Sequence, residues 1–161
     1  MFNLKAEFYL KIIFLFSFIA LISAFFIEYV LGHQPCNLCL IERIPYGLSI
    51  MIIMAIFLIR KNHRFLILLL ILTFTFSFAI SFYHFGIEQG FFQESSVCGV
   101  KGLTESFTKE DLLKQLSEKT ISCKDVTFRI FGLSLTSINI VISLLFIITL
   151  LKIFIKYEKN K

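Results

Sequence analysis

Four long apolar runs, parted by short polar stretches, set the pattern of this chain. The runs cover about residues 8–31, 39–59, 65–85 and 131–155. A helix needs roughly 20 residues to cross the hydrocarbon core of a bilayer, and runs of this length read as spans. The second run is the shortest. Ile44 to Ile59 alone sits at the lower limit, whereas a start at Cys39 spans comfortably. That start puts Glu42 and Arg43 in the first turns and Pro45 inside the helix. Proline is tolerated near a helix start. The pattern therefore predicts a helix beginning near Leu38 to Cys39, with a bend at Pro45. The expected fold is an all-α membrane protein: a four-transmembrane-helix bundle, one domain over residues 1–161, with outer loops at about 32–38 and 86–130.

Composition agrees. Hydrophobic residues make up 57% of the chain and mean hydropathy is +0.84, high for a soluble domain. The N-terminus has a basic start, an apolar run and Ser23-Ala24, as a signal peptide does. The run continues through Phe25 to Leu31, so a span is expected there. All five tyrosines (Tyr9, Tyr29, Tyr46, Tyr83, Tyr157) are expected near span ends, where an amphipathic ring suits the interface.

Charge supplies orientation. Lys5, Lys11, the link Arg60-Lys61-Asn62-His63-Arg64, and Lys152, Lys156, Lys159 and Lys161 lie on one side of the expected bilayer. The other side is nearly neutral. Basic loops stay in the cytoplasm, so both termini are expected there and both longer loops outside. The net charge of +5 is thus a topology signal, with no nucleic-acid patch in it.

The outer loop from Gly86 to Arg129 is too small and too poor in apolar residues to form its own core. Thr108-Lys109-Glu110-Asp111 resembles a helix start, and Phe107 with Leu112 has staple spacing. A short surface helix carrying Leu112, Leu113 and Leu116 is expected, with a frayed loop as the alternative.

All four cysteines fall on the expected outer side. Cys36-Asn37-Leu38-Cys39 closes a small ring when oxidised, and such rings are redox tools more often than staples. Four cysteines allow three pairings. A local Cys36–Cys39 pair leaves Cys98 with Cys123. That second bond has a structural alternative: a staple closing the loop would stabilise by roughly 3 kcal/mol. A zinc site from all four cysteines is a further alternative, weakened by the lack of a second close pair or a His cluster, and no metal is expected.

Reactivity needs a stabilised thiolate. A helix starting beside Cys39 would favour its negative charge, and Arg43, one turn on, shares its face. The guanidinium would lower the thiol pKa and polarise an acceptor's carbonyl; the alternative is an anchor that snorkels to head groups. Glu42 points to another face and is expected to partner a nearby cation. No haem, iron–sulfur or nucleotide motif is present to take electrons. A membrane-dissolved quinone fits best, with His84 at the outer end of the third span able to contact its ring. His33 and His63 are read as solvated.

These residues resemble a known family. Pro35-Cys36-Asn37-Leu38-Cys39-Leu40-Ile41-Glu42-Arg43 looks like the PCxLCxxxR signature of the DsbB family of disulfide-generating membrane proteins. Tyr83-His84, Cys98, and Cys123 followed by Phe131-Gly132-Leu133 are similar to later parts of the same family. The resemblance implies a four-helix bundle in the bacterial inner membrane with its active face toward the periplasm. It implies an oxidoreductase that reoxidises a periplasmic DsbA-like thioredoxin-fold partner and passes electrons to ubiquinone or menaquinone. By position, Cys98 would be attacked by the reduced partner, Cys123 would be released and exchange with Cys36, and Cys39 would face the quinone with Arg43 and His84 beside it. Phe128 stands where many relatives carry Trp. A strong thioredoxin-fold oxidant has a potential near −120 mV, about 150 mV above thioredoxin, so its acceptor must lie higher still. Ubiquinone meets that readily and menaquinone marginally. The competing reading is a membrane adaptor or assembly protein whose outer loop is merely disulfide-stapled.

Overall fold

A computed structural model describes residues 4–59, 62–94, 98, 122–124, 129–130 and 133–159. Four helices carry almost all of it: α1 Leu4–Tyr29, α2 Asn37–Leu58, α3 His63–Glu88 and α4 Leu135–Lys159. A two-residue antiparallel pair precedes α4, β1 Arg129–Ile130 against β2 Leu133–Ser134, with Arg129 opposite Ser134. At 1.5 Å per residue the helices run about 33 to 39 Å, enough to cross a hydrocarbon core of about 30 Å. All four are long and apolar enough to cross a membrane. Their outward faces carry large apolar side chains such as Phe18, Ile22, Met51, Phe76 and Leu145, each about half exposed or more. Water would penalise such a surface, and lipid does not.

Local chemistry sets the helix ends. Cys36 caps α2, its Sγ accepting from the Cys39 N–H at 3.3 Å. Helix α2 therefore starts at Asn37, earlier than the expected Leu38 to Cys39, and it stays continuous through buried Pro45. Asn62 takes the left-handed conformation (φ 58°) that lets the chain reverse into α3. The expected fourth span began at about 131, but α4 begins at Leu135. Leu133 and Ser134 are held as strand, and Ser134 Oγ then accepts the Ser137 N–H at 3.2 Å as an N-cap. Helix α3 runs past the expected end near Phe85 and brings Glu88 into its last turn. Gly90, at φ 78°, then turns the chain back, and Phe92 stacks on Tyr83. The expected surface helix around 108–116 and Phe128 lie outside the described residues.

Packing centres on α3, which contacts α2 and α4 most extensively, while α1 leans on α2 and touches α4 little. At one end the core is apolar: Leu10, Ile13, Ile53, Ile67, Leu70 and Phe74 are buried, with Phe146 edge-on to Phe74 at 5.0 Å. Toward the other end the helices are joined by hydroxyls and amides. Ser49 donates to Ser17 at 3.0 Å, Ser143 to Ser77 at 3.1 Å, and Asn139 Nδ2 to Ser81 at 2.7 Å. Small residues and interhelical hydrogen bonds are how helices associate where lipid removes the hydrophobic drive. Tyr46 belongs to this interior. It is buried and donates to Asn139 Oδ1, so it corrects the expectation that every tyrosine sits near a span end. Its hydroxyl had a better partner inside the bundle than at the interface.

Candidate active site

All four cysteines meet at the polar end of the bundle. Cys98 and Cys123 are joined by a disulfide, with Cα atoms 5.4 Å apart. Cys36 and Cys39 are free thiols. Cys36, Leu38, Ile87, Cys98 and Cys123 form one buried cluster, with Cys39, Ile41, Ile80 and Tyr83 packed around it. Glu94 helps hold the second pair here, accepting from the Lys124 N–H at 3.0 Å and from Ser122. The disulfide thus lies against the dithiol.

The start of α2 decides which thiol is polarised. With Asn37 as the first helical residue, the N-terminal end of the helix opens beside Cys36, and the Cys39 N–H donates to its sulfur. Cys39, the expected beneficiary, is already the third residue of the helix. A hydrogen bond with the Cys39 side chain draws the Cys36 thiol well below its ordinary value; burial opposes this, and His84 adds to the lowering. The Nε2 atom of His84 lies 3.6 Å from Cys36 Sγ.

His84 is 2% exposed and turned inward. Its Nδ1 lies 2.9 Å from Glu42 Oε1 and 3.3 Å from Thr136 Oγ1. Glu42 is the hydrogen-bond partner of this imidazole, and its other oxygen accepts from Asn139 Nδ2 at 3.2 Å. With Nδ1–H donated to Glu42, Nε2 is left to accept the Cys36 proton. Thr136 also donates to Glu88 Oε1 at 2.7 Å. Glu28, Glu88, Thr136, Asn139 and Tyr46 escaped the sequence reading as site residues. The signal available was polar or ionisable side chains inside or at the ends of apolar spans.

A cavity of about 330 Å³ opens between α1, α2 and α4. Apolar residues of α1 and α4 form most of its wall, and Cys39, Arg43, Tyr46 and Asn139 contribute polar atoms. Arg43 pairs with Glu28 of α1, and its guanidinium lies over the Phe25 ring at 5.3 Å. Both partners are mostly buried, so Arg43 is no head-group anchor. Cys39 lines this cavity, and Cys36, Cys98 and Cys123 are absent from its lining. His84 is absent from this lining too: its register on α3 turns it toward Cys36 and Glu42. His33, read as solvated, is half-buried and lines the cavity; His63 is also half-buried.

A helical membrane bundle that packs a dithiol against a disulfide beneath one capped helix defines a class: membrane thiol–disulfide proteins. Comparison with known proteins narrows the class. The model of the DsbB family, disulfide bond formation protein DsbB, matches residues 6–153. The chain belongs to that family and is a disulfide-bond-forming oxidoreductase. It is also similar to an uncharacterized protein of Rickettsia prowazekii (strain Madrid E), 30% identical over 147 residues that cover 90% of this chain and 86% of that one.

Proposed function

We propose that this protein is the quinone-coupled oxidase of a thioredoxin-fold thiol oxidant, set in a bacterial inner membrane with its cysteine end toward the periplasm and both termini cytoplasmic. The observation that carries the reading is the division of labour among the sulfurs. Cys39 alone of the four lines the apolar cavity, and Cys36 packs with Cys98 and Cys123. The two pairs can therefore exchange with each other while one sulfur addresses a second compartment. A bare loop staple needs neither burial against the dithiol nor a cavity beside it.

The relay balances as follows. A thiolate of the reduced DsbA-like partner attacks Cys98 and releases Cys123 as thiolate. Cys123 attacks Cys36 of an oxidised Cys36–Cys39 bond and releases Cys39. The partner's second cysteine displaces Cys98 and leaves oxidised. Cys98 then attacks Cys123, reforming their disulfide and freeing Cys36. The result is a Cys36/Cys39 dithiol beside an intact Cys98–Cys123 bond, the arrangement described above. His84 holds the Cys36 proton at Nε2, and Glu42 fixes the ring for it.

The cavity suits a quinone ring. Its volume lies in the range of small-molecule sites, its walls are apolar, and Arg43 supplies a positive charge. A bound quinone would accept two electrons and two protons. Arg43 would steady negative charge on a ring oxygen, and Glu28 would hold the guanidinium in place. The test is quinone reduction by the purified chain supplied with a reduced thioredoxin-fold partner. Turnover with wild type and none with Cys39→Ser is expected; partner oxidation at the normal rate by Cys39→Ser would overturn the reading.

A further inference from the structure

Cys36 Sγ, Cys39 Sγ and a ring nitrogen of His84 all lie within 4.8 Å of one another. Such a set has the makings of a soft-metal site, one that the spacing of the four cysteines along the chain did not reveal. Zinc bound tetrahedrally, at about 2.3 Å to sulfur and 2.0–2.1 Å to imidazole, brings those two atoms to about 3.5 Å apart. Cys36 Sγ and His84 Nε2 are 3.6 Å apart. The other ring nitrogen is held by the Glu42 carboxylate at 2.9 Å. A carboxylate behind the imidazole fixes the tautomer that leaves Nε2 free to ligate, and it accompanies most histidine ligands of metals.

A second observation points the same way. Glu88 Oε1 lies 3.8 Å from His84 Nε2. The Glu88 side chain is only 5% exposed, and its Oε2 finds no hydrogen-bond partner among the described residues. A buried carboxylate oxygen without a donor is costly. A cation beside it would remove that cost.

We propose that the reduced Cys36–Cys39 pair and His84 Nε2 form a three-ligand binding site for a thiophilic divalent cation of the zinc class, with the Glu88 carboxylate beside the imidazole as a nearby negative charge. Binding displaces the Cys39 S–H proton and the proton held at His84 Nε2, forms two metal–thiolate bonds and one metal–imidazole bond, and releases two protons to solvent; no electrons move. The oxidised pair has no thiolate to offer, so the site exists only in the reduced state. A bound cation would also keep the two sulfurs from joining. The metal is then an inhibitor that reads the redox state of the pair, a consequence that rests on the oxidase reading, whereas binding itself does not.

The probe is Co²⁺ added to the detergent-purified full chain carrying Cys98→Ser and Cys123→Ser, so that only Cys36 and Cys39 can ligate. After reduction, one Co²⁺ per chain is expected, with a thiolate-to-cobalt charge-transfer band and the intense visible absorption of a tetrahedral ion, both bleached by Zn²⁺. The oxidised protein should show neither band. His84→Ala should weaken binding at least about tenfold, and Glu88→Gln, which removes only a neighbouring charge, should weaken it by less and leave the charge-transfer band in place. If His84→Ala does not fold, Glu42→Gln should still weaken binding. Absence of a charge-transfer band in the reduced protein, or equal affinity with His84 removed, would overturn the proposal. Because no partner or quinone is present, the outcome is independent of the turnover assay.

Discussion

At the residue scale, the chemistry turns on which sulfur caps α2. Cys36 Sγ takes the Cys39 N–H, and the lowered Cys36 pKa follows from the Cys39 hydrogen bond and His84 winning over burial. The sign is definite: as pH falls below the ordinary thiol range, the reduced pair should keep one negative charge. Thiolate absorbance of the Cys98→Ser/Cys123→Ser chain should show a first proton loss below that range. Replacing His84 with Ala should move it upward. A first step at the ordinary thiol value would remove the cap argument. Arg43 makes a separate prediction. Arg43→Ala should raise the apparent KM for quinone on the order of tenfold, equivalent to about 1.4 kcal/mol. Glu28→Gln should produce a smaller rise, because it loosens the guanidinium without removing it. An unchanged KM in both would reduce the Arg43–Glu28 pair to a helix tie.

At the element scale, the end of α3 matters most, because it carries His84 and Glu88 and must hold its last turn. The Phe91 and Phe92 N–H groups both return to Gly86 O, at 2.8 and 3.1 Å. A Cβ on Gly86 would collide with the Phe92 ring. Gly86→Ala should therefore destabilise the protein by about 1–3 kcal/mol, the usual cost of overpacking. Adding Phe92→Ala should recover part of the loss, since the clash is with that side chain. Thermal unfolding in detergent of the single and double variants checks this; equal midpoints for Gly86→Ala and wild type would mean that the ring moves aside freely. The same element shows what local patterning cannot supply. Apolar runs locate helices to within a few residues. They missed the extra turn that brings in Glu88, because that turn has the polarity of a loop and is made helical by the fold-back of Phe91 and Phe92.

At the scale of the whole molecule, Asn139 is the joint of three helices. Its amide donates to Glu42 of α2 and Ser81 of α3, and it accepts from Tyr46. Asn139→Leu leaves a buried carboxylate oxygen and a buried phenol without partners. Destabilisation of about 1–3 kcal/mol is expected, the range for unsatisfied buried polar groups. The Glu42–His84 bond should loosen with it, so turnover should fall more than KM rises. Denaturant titration beside the quinone assay separates the two effects; a stable variant with normal turnover would show that Glu42 is held without Asn139.

The sequence by itself determined the four membrane-spanning helices and the residues that form the dithiol. Hydrophobic run length decides helix count in a bilayer, because backbone groups in lipid must be satisfied within the segment. The CxxC spacing and the one-turn step from Cys39 to Arg43 are local and survive in any packing. Only the tertiary structure decided that Cys36 caps α2 and accepts from Cys39, that His84 faces sulfur and not the cavity, and that Glu28, Glu88 and Asn139 lie against Arg43, His84 and Glu42. The last two depend on the register of one helix against another, set by side chains that lie tens of residues apart in the chain and meet only when the bundle closes.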